Sequence, residues 1–263
     1  LKDYLLLFAT QGKHAEAESL LERAQGVREK VFGPEHPIVA ASLNSRANLL
    51  KGEGKYSEAG SLYERSQAIV EKVLGPEHLH VATALNNRAG LLASQGRFAE
   101  AASLCERSKA IREKILGSEH PDVATSLNDL ASLLESQGKY AEAEPLYEQS
   151  LALREKALGP EHPHVAVSLS NLALLLERQG KYAEAALLYE RANVLEAKVL
   201  CGEHPGVATS LSNRASLLKS LGKYAEAEQL FERSLTIREK ALGPDHPAVA
   251  ILLNNRAGLL EEQ

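Results

Sequence analysis

The sequence contains no tryptophan and no methionine, and aromatic residues make up only 5% of its 263 positions. Its two cysteines, Cys105 and Cys201, are too few for a disulfide framework, which predicts a reducing, cytoplasmic location. No run approaches the roughly twenty apolar residues that a membrane-spanning helix needs. The formal net charge is −5, so there is no basic excess to neutralise nucleic acid or an anionic membrane. We therefore expect neither as a partner.

Motifs that indicate catalysis are also missing, because no glycine-rich phosphate loop, HExxH helix or nucleophile elbow is present. One histidine ladder is the obvious candidate for a metal site: His36, His78, His120, His162, His204 and His246. Ligands of one zinc ion must lie about 2 Å from it, whereas equivalent residues of neighbouring helical repeats are roughly 8–10 Å apart. We expect these histidines to serve the turns before helices, and we predict no enzyme activity, no cofactor and no metal.

What the sequence has in quantity is repetition. The histidines above recur every 42 residues, and so does a set of glycines: Gly12, Gly54, Gly96, Gly138, Gly180 and Gly222. Residues 97–138 and 139–180 are identical at 26 of 42 positions. A fixed period in this range predicts a solenoid, in which each repeat buries its apolar face by stacking on its neighbours.

Each repeat predicts two helices, as residues 120–161 illustrate. Pro121 suits the first turn of a helix, and apolar residues then recur at helical spacing until Gly138 ends the segment. A second helix is predicted from about Tyr140 to Leu158, followed by Gly159-Pro160. The first helix has roughly sixteen residues and the second roughly nineteen by this spacing. No segment predicts a strand, so the fold class is all-α.

The pattern L..LA.LL..QGKY.EAE.LYE.SL resembles the tetratricopeptide repeat, whose usual period is about 34 residues. Here an insertion around LREKALGP lengthens the second helix and the loop. This variant resembles the repeats of kinesin light chain, and also the arrays attached to NB-ARC or other STAND-type receptors. The resemblance implies a right-handed superhelical solenoid of antiparallel helix hairpins.

We expect a single solenoid over residues 1–263. Its predicted parts are a partial first repeat at 1–35, full repeats at 36–77, 78–119, 120–161, 162–203 and 204–245, and a lone final helix at 246–263. Because the sequence begins and ends within a repeat, we expect it to belong to a larger protein. We also expect a monomer, with terminal helices available for end-to-end stacking.

Asparagine marks the predicted binding surface. In tetratricopeptide superhelices the first helices line the concave groove, and the resemblance assigns ligand contacts to offsets two, five, six, nine, twelve and thirteen from the valine of each VA pair. Offsets five and six supply the candidate peptide-binding residues Asn44, Asn86, Asn87, Asn128, Asp129, Asn171, Asn213, Asn254 and Asn255. A carboxamide both donates and accepts, so this ladder suits the backbone of an extended peptide. We therefore expect Asn86, Asn128 and Asn254 to be exposed on the concave surface, with amides that are not paired to the scaffold. The alternative is that asparagine only keeps a solvated face polar, but glutamate or lysine would do so with better helix propensity.

Four arginines lie on the opposite, packing face of the first helices: Arg46, Arg88, Arg214 and Arg256. A guanidinium there needs a carboxylate, or must reach the edge of the packed surface. The glutamate of the YER segment in each second helix is the expected partner, and Leu130 and Leu172 show that an apolar residue also fits. We therefore predict a structural role for these arginines.

These observations favour protein–protein recognition. The predicted function is a scaffold that binds a protein or an extended peptide in its concave groove, as the recognition array of a larger cytosolic, NB-ARC/STAND-like protein. The alternative is a cargo adaptor similar to kinesin light chain.

Overall fold

The computed structural model describes residues 14–199, 205–244 and 246–261, which form twelve α-helices and no strand. The all-α prediction is confirmed. The helices are α1 His14–Phe32, α2 Pro37–Gly52, α3 Tyr56–Leu74, α4 Leu79–Ser94, α5 Phe98–Leu116, α6 Pro121–Ser136, α7 Tyr140–Leu158, α8 Pro163–Arg178, α9 Tyr182–Val199, α10 Pro205–Ser220, α11 Tyr224–Leu242 and α12 Pro247–Leu260. Gly12, Cys201 and His204 lie outside the described residues.

The chain divides into two compact units, Leu1–Gln137 and Gly138–Gln263, which we call the N-terminal and C-terminal units. In the N-terminal unit, α2 with α3 and α4 with α5 form hairpins, and α1 packs on α2, α3 on α4 and α5 on α6. In the C-terminal unit, α8 with α9 and α10 with α11 form hairpins, and α7 packs on α8, α9 on α10 and α11 on α12. Within each unit, helices pack chiefly on their sequence neighbours, which is the packing of tetratricopeptide hairpins. The limits of the individual repeats given above stay a prediction.

Helix lengths and stops follow the sequence signals. The helix α6 has 16 residues and α7 has 19, as predicted. The second helices α3, α5, α7 and α11 each end at a glycine, for example Gly75 after α3, with φ 87° and ψ 158°. L side chains rarely adopt this backbone conformation, so glycine allows the chain to leave the helix and turn toward the next repeat.

The recurrent histidines cap the first helices. The Nδ1 atom of His36 accepts a hydrogen bond from the backbone N–H of Ile38 at 3.2 Å, and His120 accepts from Asp122 at 3.1 Å. His78, His162 and His246 form the equivalent bond two residues ahead. A neutral imidazole thus satisfies one of the free N–H groups at each helix start. The expected role in the turns is confirmed for these five, and no group of three or more metal-ligating side chains occurs among the described residues.

Replacing His120 by alanine should lower the free energy of unfolding by about 0.5–2 kcal/mol, because the N–H of Asp122 loses its acceptor. His120→Asn should lose little, since asparagine is a good N-cap residue. Urea denaturation followed by circular dichroism measures both variants. Equal stability of the alanine variant and the unmodified chain would contradict the capping role.

Small residues allow the helices of a hairpin to approach closely. Ala47 in α2 and Ala59 in α3 are fully buried and pack with Tyr63. A buried serine in the second helix then fixes the pair: Ser66 Oγ donates to the carbonyl oxygen of Ala40 at 2.9 Å. Ser108 and Ser234 repeat this bond with Ala82 and Ala208. The hairpin is therefore held by alanine packing and by a hydroxyl that satisfies a helical carbonyl.

A second buried link joins consecutive repeats. Arg112 Nη1 donates to Ser126 Oγ at 2.5 Å, and Arg28 with Ser42 and Arg154 with Ser168 form the same bond 14 residues apart. Where valine replaces the arginine, at Val70, alanine replaces the serine, at Ala84. The two positions also vary separately, because Glu196 faces Ser210 in one repeat and Arg238 is retained in another where Leu252 replaces the serine.

Candidate ligand-binding groove

A cavity of about 500 Å³ opens in the N-terminal unit between the first helices of successive repeats. It is lined by residues at the predicted offsets: Lys51 from α2, Thr83, Asn86, Asn87, Gly90 and Ala93 from α4, and Thr125, Asp129, Ser132 and Ser136 from α6. These positions share one face because residues three, four and seven apart in a helix lie on the same side. The cavity is therefore a polar surface built from equivalent positions of three helices.

The second helix α5 supplies part of the cavity wall through Cys105 and Arg112. Both are buried. Burial raises the pKa of the Cys105 thiol to about 12, so the thiol is protonated and unreactive at neutral pH. Burial also lowers the pKa of the Arg112 guanidinium, whose Nη1 is held by Ser126. These residues shape the cavity and leave the polar contacts to α4 and α6.

Asn86 does not have the free amide that a purely ligand-binding residue would have. Its Nδ2 donates to Asp129 Oδ2 at 2.6 Å, which links the predicted groove positions of consecutive repeats. The expectation that Asn86 is exposed and unpaired is wrong, because the carboxylate at offset six of the next repeat lies within its reach. Its Oδ1 is buried and has no donor among the described residues, so that one acceptor remains in the cavity wall.

The other predicted asparagines differ in exposure. Asn128 and Asn171 are half-buried and already have interaction partners, so the same expectation is wrong for Asn128. Asn87 is half-buried and lines the cavity. Asn44, Asn213 and Asn255 are half-buried, and Asn254 is exposed as expected. Cavity-lining residues at the other offsets, notably Thr83 and Ser132, were absent from the predicted site, although their offsets were recognised.

Side chains at two of the groove offsets accept hydrogen bonds from tyrosines of the second helices. The hydroxyl of Tyr63 donates to Asn48 Oδ1 at 2.6 Å, and in the C-terminal unit the hydroxyl of Tyr189 donates to Glu177 Oε2 at 3.3 Å. Burial raises the pKa of Glu177 above its usual value. Offsets nine and twelve therefore serve the scaffold in these two repeats.

Three of the four arginines of the packing face pair with glutamates of the preceding repeat, and no such pair of Arg214 is found among the described residues. Arg88 Nη2 donates to Glu64 Oε1 at 2.9 Å, 24 residues earlier. Arg46 with Glu22 and Arg256 with Glu232 form the same pair at 3.1 and 2.6 Å. None of these arginines lines the cavity. The geometry supports the structural role, and the pairs lie at the edge of the packed surface, since the Arg88 side chain is 32% exposed.

Arg88→Leu should change the free energy of unfolding by less than about 1 kcal/mol, because exposed ion pairs contribute little and Leu130 occupies the equivalent place. Arg88→Ala should cost more than Arg88→Leu, since it also removes the packing of the arginine stem. Urea denaturation of both variants measures the difference. A large loss in the leucine variant alone would show that the charge itself is needed.

Comparison with known proteins decides the family. A tetratricopeptide repeat model matches residues 6–59, 40–102, 80–156 and 128–192, and a second tetratricopeptide repeat model matches residues 207–248. The chain belongs to the tetratricopeptide repeat family. Repeats of this family are scaffolds for protein–protein interaction and are not enzymes. The predicted resemblance to tetratricopeptide repeats is confirmed.

Two solved structures are similar to this tetratricopeptide array. The kinesin light chain nearly identical TPR-like repeats of Podosopora anserina are 32% identical, with a TM-score of 0.58, and the match covers 74% of this chain and 93% of that one. BtubC (BKLC) from P. vanneervenii is 22% identical, with a TM-score of 0.67 over 90% of this chain and 94% of that one, and shows the fold alone. A search of the curated proteins finds no match.

No helix within the described ranges is both long enough and apolar enough to cross a bilayer.

Proposed function

We propose that the cavity of the N-terminal unit binds an extended segment of a partner protein. The observation that carries this proposal is that offsets two and six of consecutive first helices line one cavity with polar side chains. A bound segment would run from one first helix to the next and meet a chemically similar row of groups at each. The asparagine residues predicted in the C-terminal unit, Asn171, Asn213, Asn254 and Asn255, are proposed to bind a peptide within that unit.

The contacts in the N-terminal unit suggest which side chains do the binding. Thr83 is exposed, and Asn87 is half-buried on the same helix; both line the cavity. Asn86 and Asp129 hold each other, so they are proposed to orient the surface. Thr83 and Asn87 are therefore the better residues for a test than Asn86.

The double variant Thr83→Ala plus Asn87→Ala should weaken binding of a partner by about tenfold, since each lost side-chain hydrogen bond costs on the order of 1 kcal/mol. The melting temperature should hardly change, because neither side chain packs in the core. Affinity purification with the intact chain followed by peptide mapping identifies the partner, and calorimetry measures the affinity. Ser103→Ala on the outward face of α5 is the matched control and should leave binding unchanged. An unaffected affinity in the double variant would overturn the groove proposal.

The parent protein is a separate question with two proposed answers. We propose a recognition array of a larger cytosolic protein of the NB-ARC/STAND type, and the kinesin-light-chain-like cargo adaptor is the second candidate. The second is favoured by the 32% identity with kinesin light chain repeats. The flanking coding sequence distinguishes them, because the first requires a P-loop ATPase and the second requires coiled-coil heptads. Sedimentation of the chain at several concentrations tests the proposed monomer against end-to-end stacking.

A further inference from the structure

The helix α9 carries an apolar stripe that the other second helices lack. Leu187 is 69% exposed and Val194 is 52% exposed, and they lie two helical turns apart on the same side of the helix. The equivalent positions hold Ser19 and Gly26 in α1, Ser61 and Ala68 in α3, Ser103 and Ala110 in α5, Pro145 and Ala152 in α7, and Gln229 and Thr236 in α11. We call Leu187 and Val194 the α9 stripe.

In other repeats, a carboxylate next to the positions equivalent to the α9 stripe joins consecutive second helices. Glu71 Oε1 in α3 accepts from Gln67 Nε2 at 3.1 Å and from Arg107 Nη2 in α5 at 2.9 Å. Glu29 Oε1 accepts in the same way from Gln25 and Arg65, at 3.1 and 2.9 Å. A single carboxylate oxygen thus satisfies an amide of its own helix and a guanidinium of the next.

In the C-terminal unit only the arginine–carboxylate part of this bridge occurs between α7 and α9, where Leu151 replaces the glutamine, and the carboxylate is missing between α9 and α11. Arg191 Nη2 lies 2.5 Å from Glu155 Oε1. One repeat later the arginine is retained as Arg233, but Ala197 stands in place of the glutamate. No ion pair or hydrogen bond of Arg233 is found within the part of the chain that the structure describes.

The side-chain amide that would donate to this missing carboxylate is buried. Asn193 occupies the position of Gln67 and is only 9% exposed. Neither its Nδ2 nor its Oδ1 has a hydrogen-bond partner among the described residues. Buried amide groups are nearly always hydrogen-bonded, and leaving one unmade is costly. The amide of Asn193 on α9 and the guanidinium of Arg233 on α11 therefore lack the carboxylate oxygen that the equivalent groups share between α1 and α3 and between α3 and α5.

The position of the missing carboxylate adjoins the α9 stripe, because Ala197 lies three residues after Val194 and such pairs are neighbours on a helix surface. The surface of α9 beside α11 thus lacks one acidic side chain and carries two large apolar ones.

We infer that α9 and α11 form a second docking site, outside the groove, for an amphipathic helix of a partner protein. The partner supplies one aspartate or glutamate, whose carboxylate accepts from the exposed Arg233. Apolar side chains one turn from that acid cover Leu187 and Val194. A helix fits this arrangement because residues three and four apart lie on one side, as the acid and the apolar contacts must.

The test uses two displayed libraries of amphipathic helices against the full chain. The libraries are identical except that one fixes glutamate and the other glutamine at a central position, with the neighbouring positions randomised. We expect binders from the glutamate library, with apolar residues selected beside the acid. Their affinity should fall at least about tenfold on Arg233→Gln, as expected for a lost charge-assisted hydrogen bond.

Ala197→Glu should also weaken these binders at least about tenfold, because an internal carboxylate then meets Asn193 and Arg233. The same substitution should raise the melting temperature, and adding Arg233→Gln should cancel the gain. Thr83→Ala plus Asn87→Ala is the control, and it should leave these binders unaffected. Equal yields from the two libraries, or binders insensitive to Arg233→Gln, would overturn the proposal. So would concentration-dependent dimers of the chain that Arg233→Gln abolishes, since the surface would then bind a second copy.

Discussion

Replacement of Tyr63 by alanine is expected to lower the free energy of unfolding by about 3–5 kcal/mol. Tyr63 is fully buried and packs with Ala47, Leu50 and Ala59 in the N-terminal unit. Its removal would leave a cavity between the helices of one hairpin and would also free Asn48 Oδ1 from its hydrogen bond at 2.6 Å. Urea denaturation followed by circular dichroism measures the loss.

The matched control is Tyr63→Phe, which keeps the ring and removes only the hydroxyl. It should cost about 1 kcal/mol, the usual contribution of one hydrogen bond. Burial raises the pKa of Tyr63 to about 12, so the hydroxyl is neutral and available as a donor at neutral pH. A loss below about 1 kcal/mol in the alanine variant would mean that the hairpin collapses onto the cavity, as the equivalent position already accommodates Cys105.

Removal of residues 205–263 should leave residues 1–204 helical, with a melting temperature lower by on the order of 5–10 °C. The truncation takes away the packing of α10 on α9 and exposes the apolar side of α9, while the hairpin of α8 with α9 keeps its own contacts. In a solenoid the free energy of unfolding is approximately the sum of the stabilities of the individual repeats and of the interfaces between neighbours, so the remaining repeats stay folded. Circular dichroism during heating measures both quantities.

An unfolded spectrum after this truncation would contradict a neighbour-by-neighbour solenoid and would indicate a single cooperative core. Ala250→Ser in the intact chain, an exposed change in the last described helix, is a suitable control for handling effects and should melt like the unmodified protein.

The helices and their ends were predictable because their causes are local. The 42-residue period, the His-Pro start of Pro121–Ser136 and the glycine after Tyr140–Leu158 each act within a few residues of the element that they define. The groove offsets were predictable for the same reason, since the face of a helix follows from its spacing alone. That is why Thr83 and Asn87 line one cavity with residues of the next first helix.

Pairings between repeats were harder to predict, because they depend on which side chains reach each other across an interface. Helical spacing places Asn86 and Asp129 on the same face, but it gives neither the distance nor the bond between them. The buried bond between Arg112 and Ser126 left only a partial sequence signal. Val70 and Ala84 replace both partners in one repeat, but Arg238 is retained in another where Leu252 replaces the serine.

The links between repeats have a genetic consequence. Arg88 pairs with Glu64, Arg107 with Glu71 and Lys114 with Glu77, at separations of 24, 36 and 37 residues. Unequal crossing-over between near-identical segments adds or deletes one whole period, and each separation is preserved wherever the breakpoint falls within the repeat. The number of repeats can therefore change between generations without altering the spacing of these partners. An insertion of any other length between Glu77 and Arg88 would shift all three pairs out of register at once.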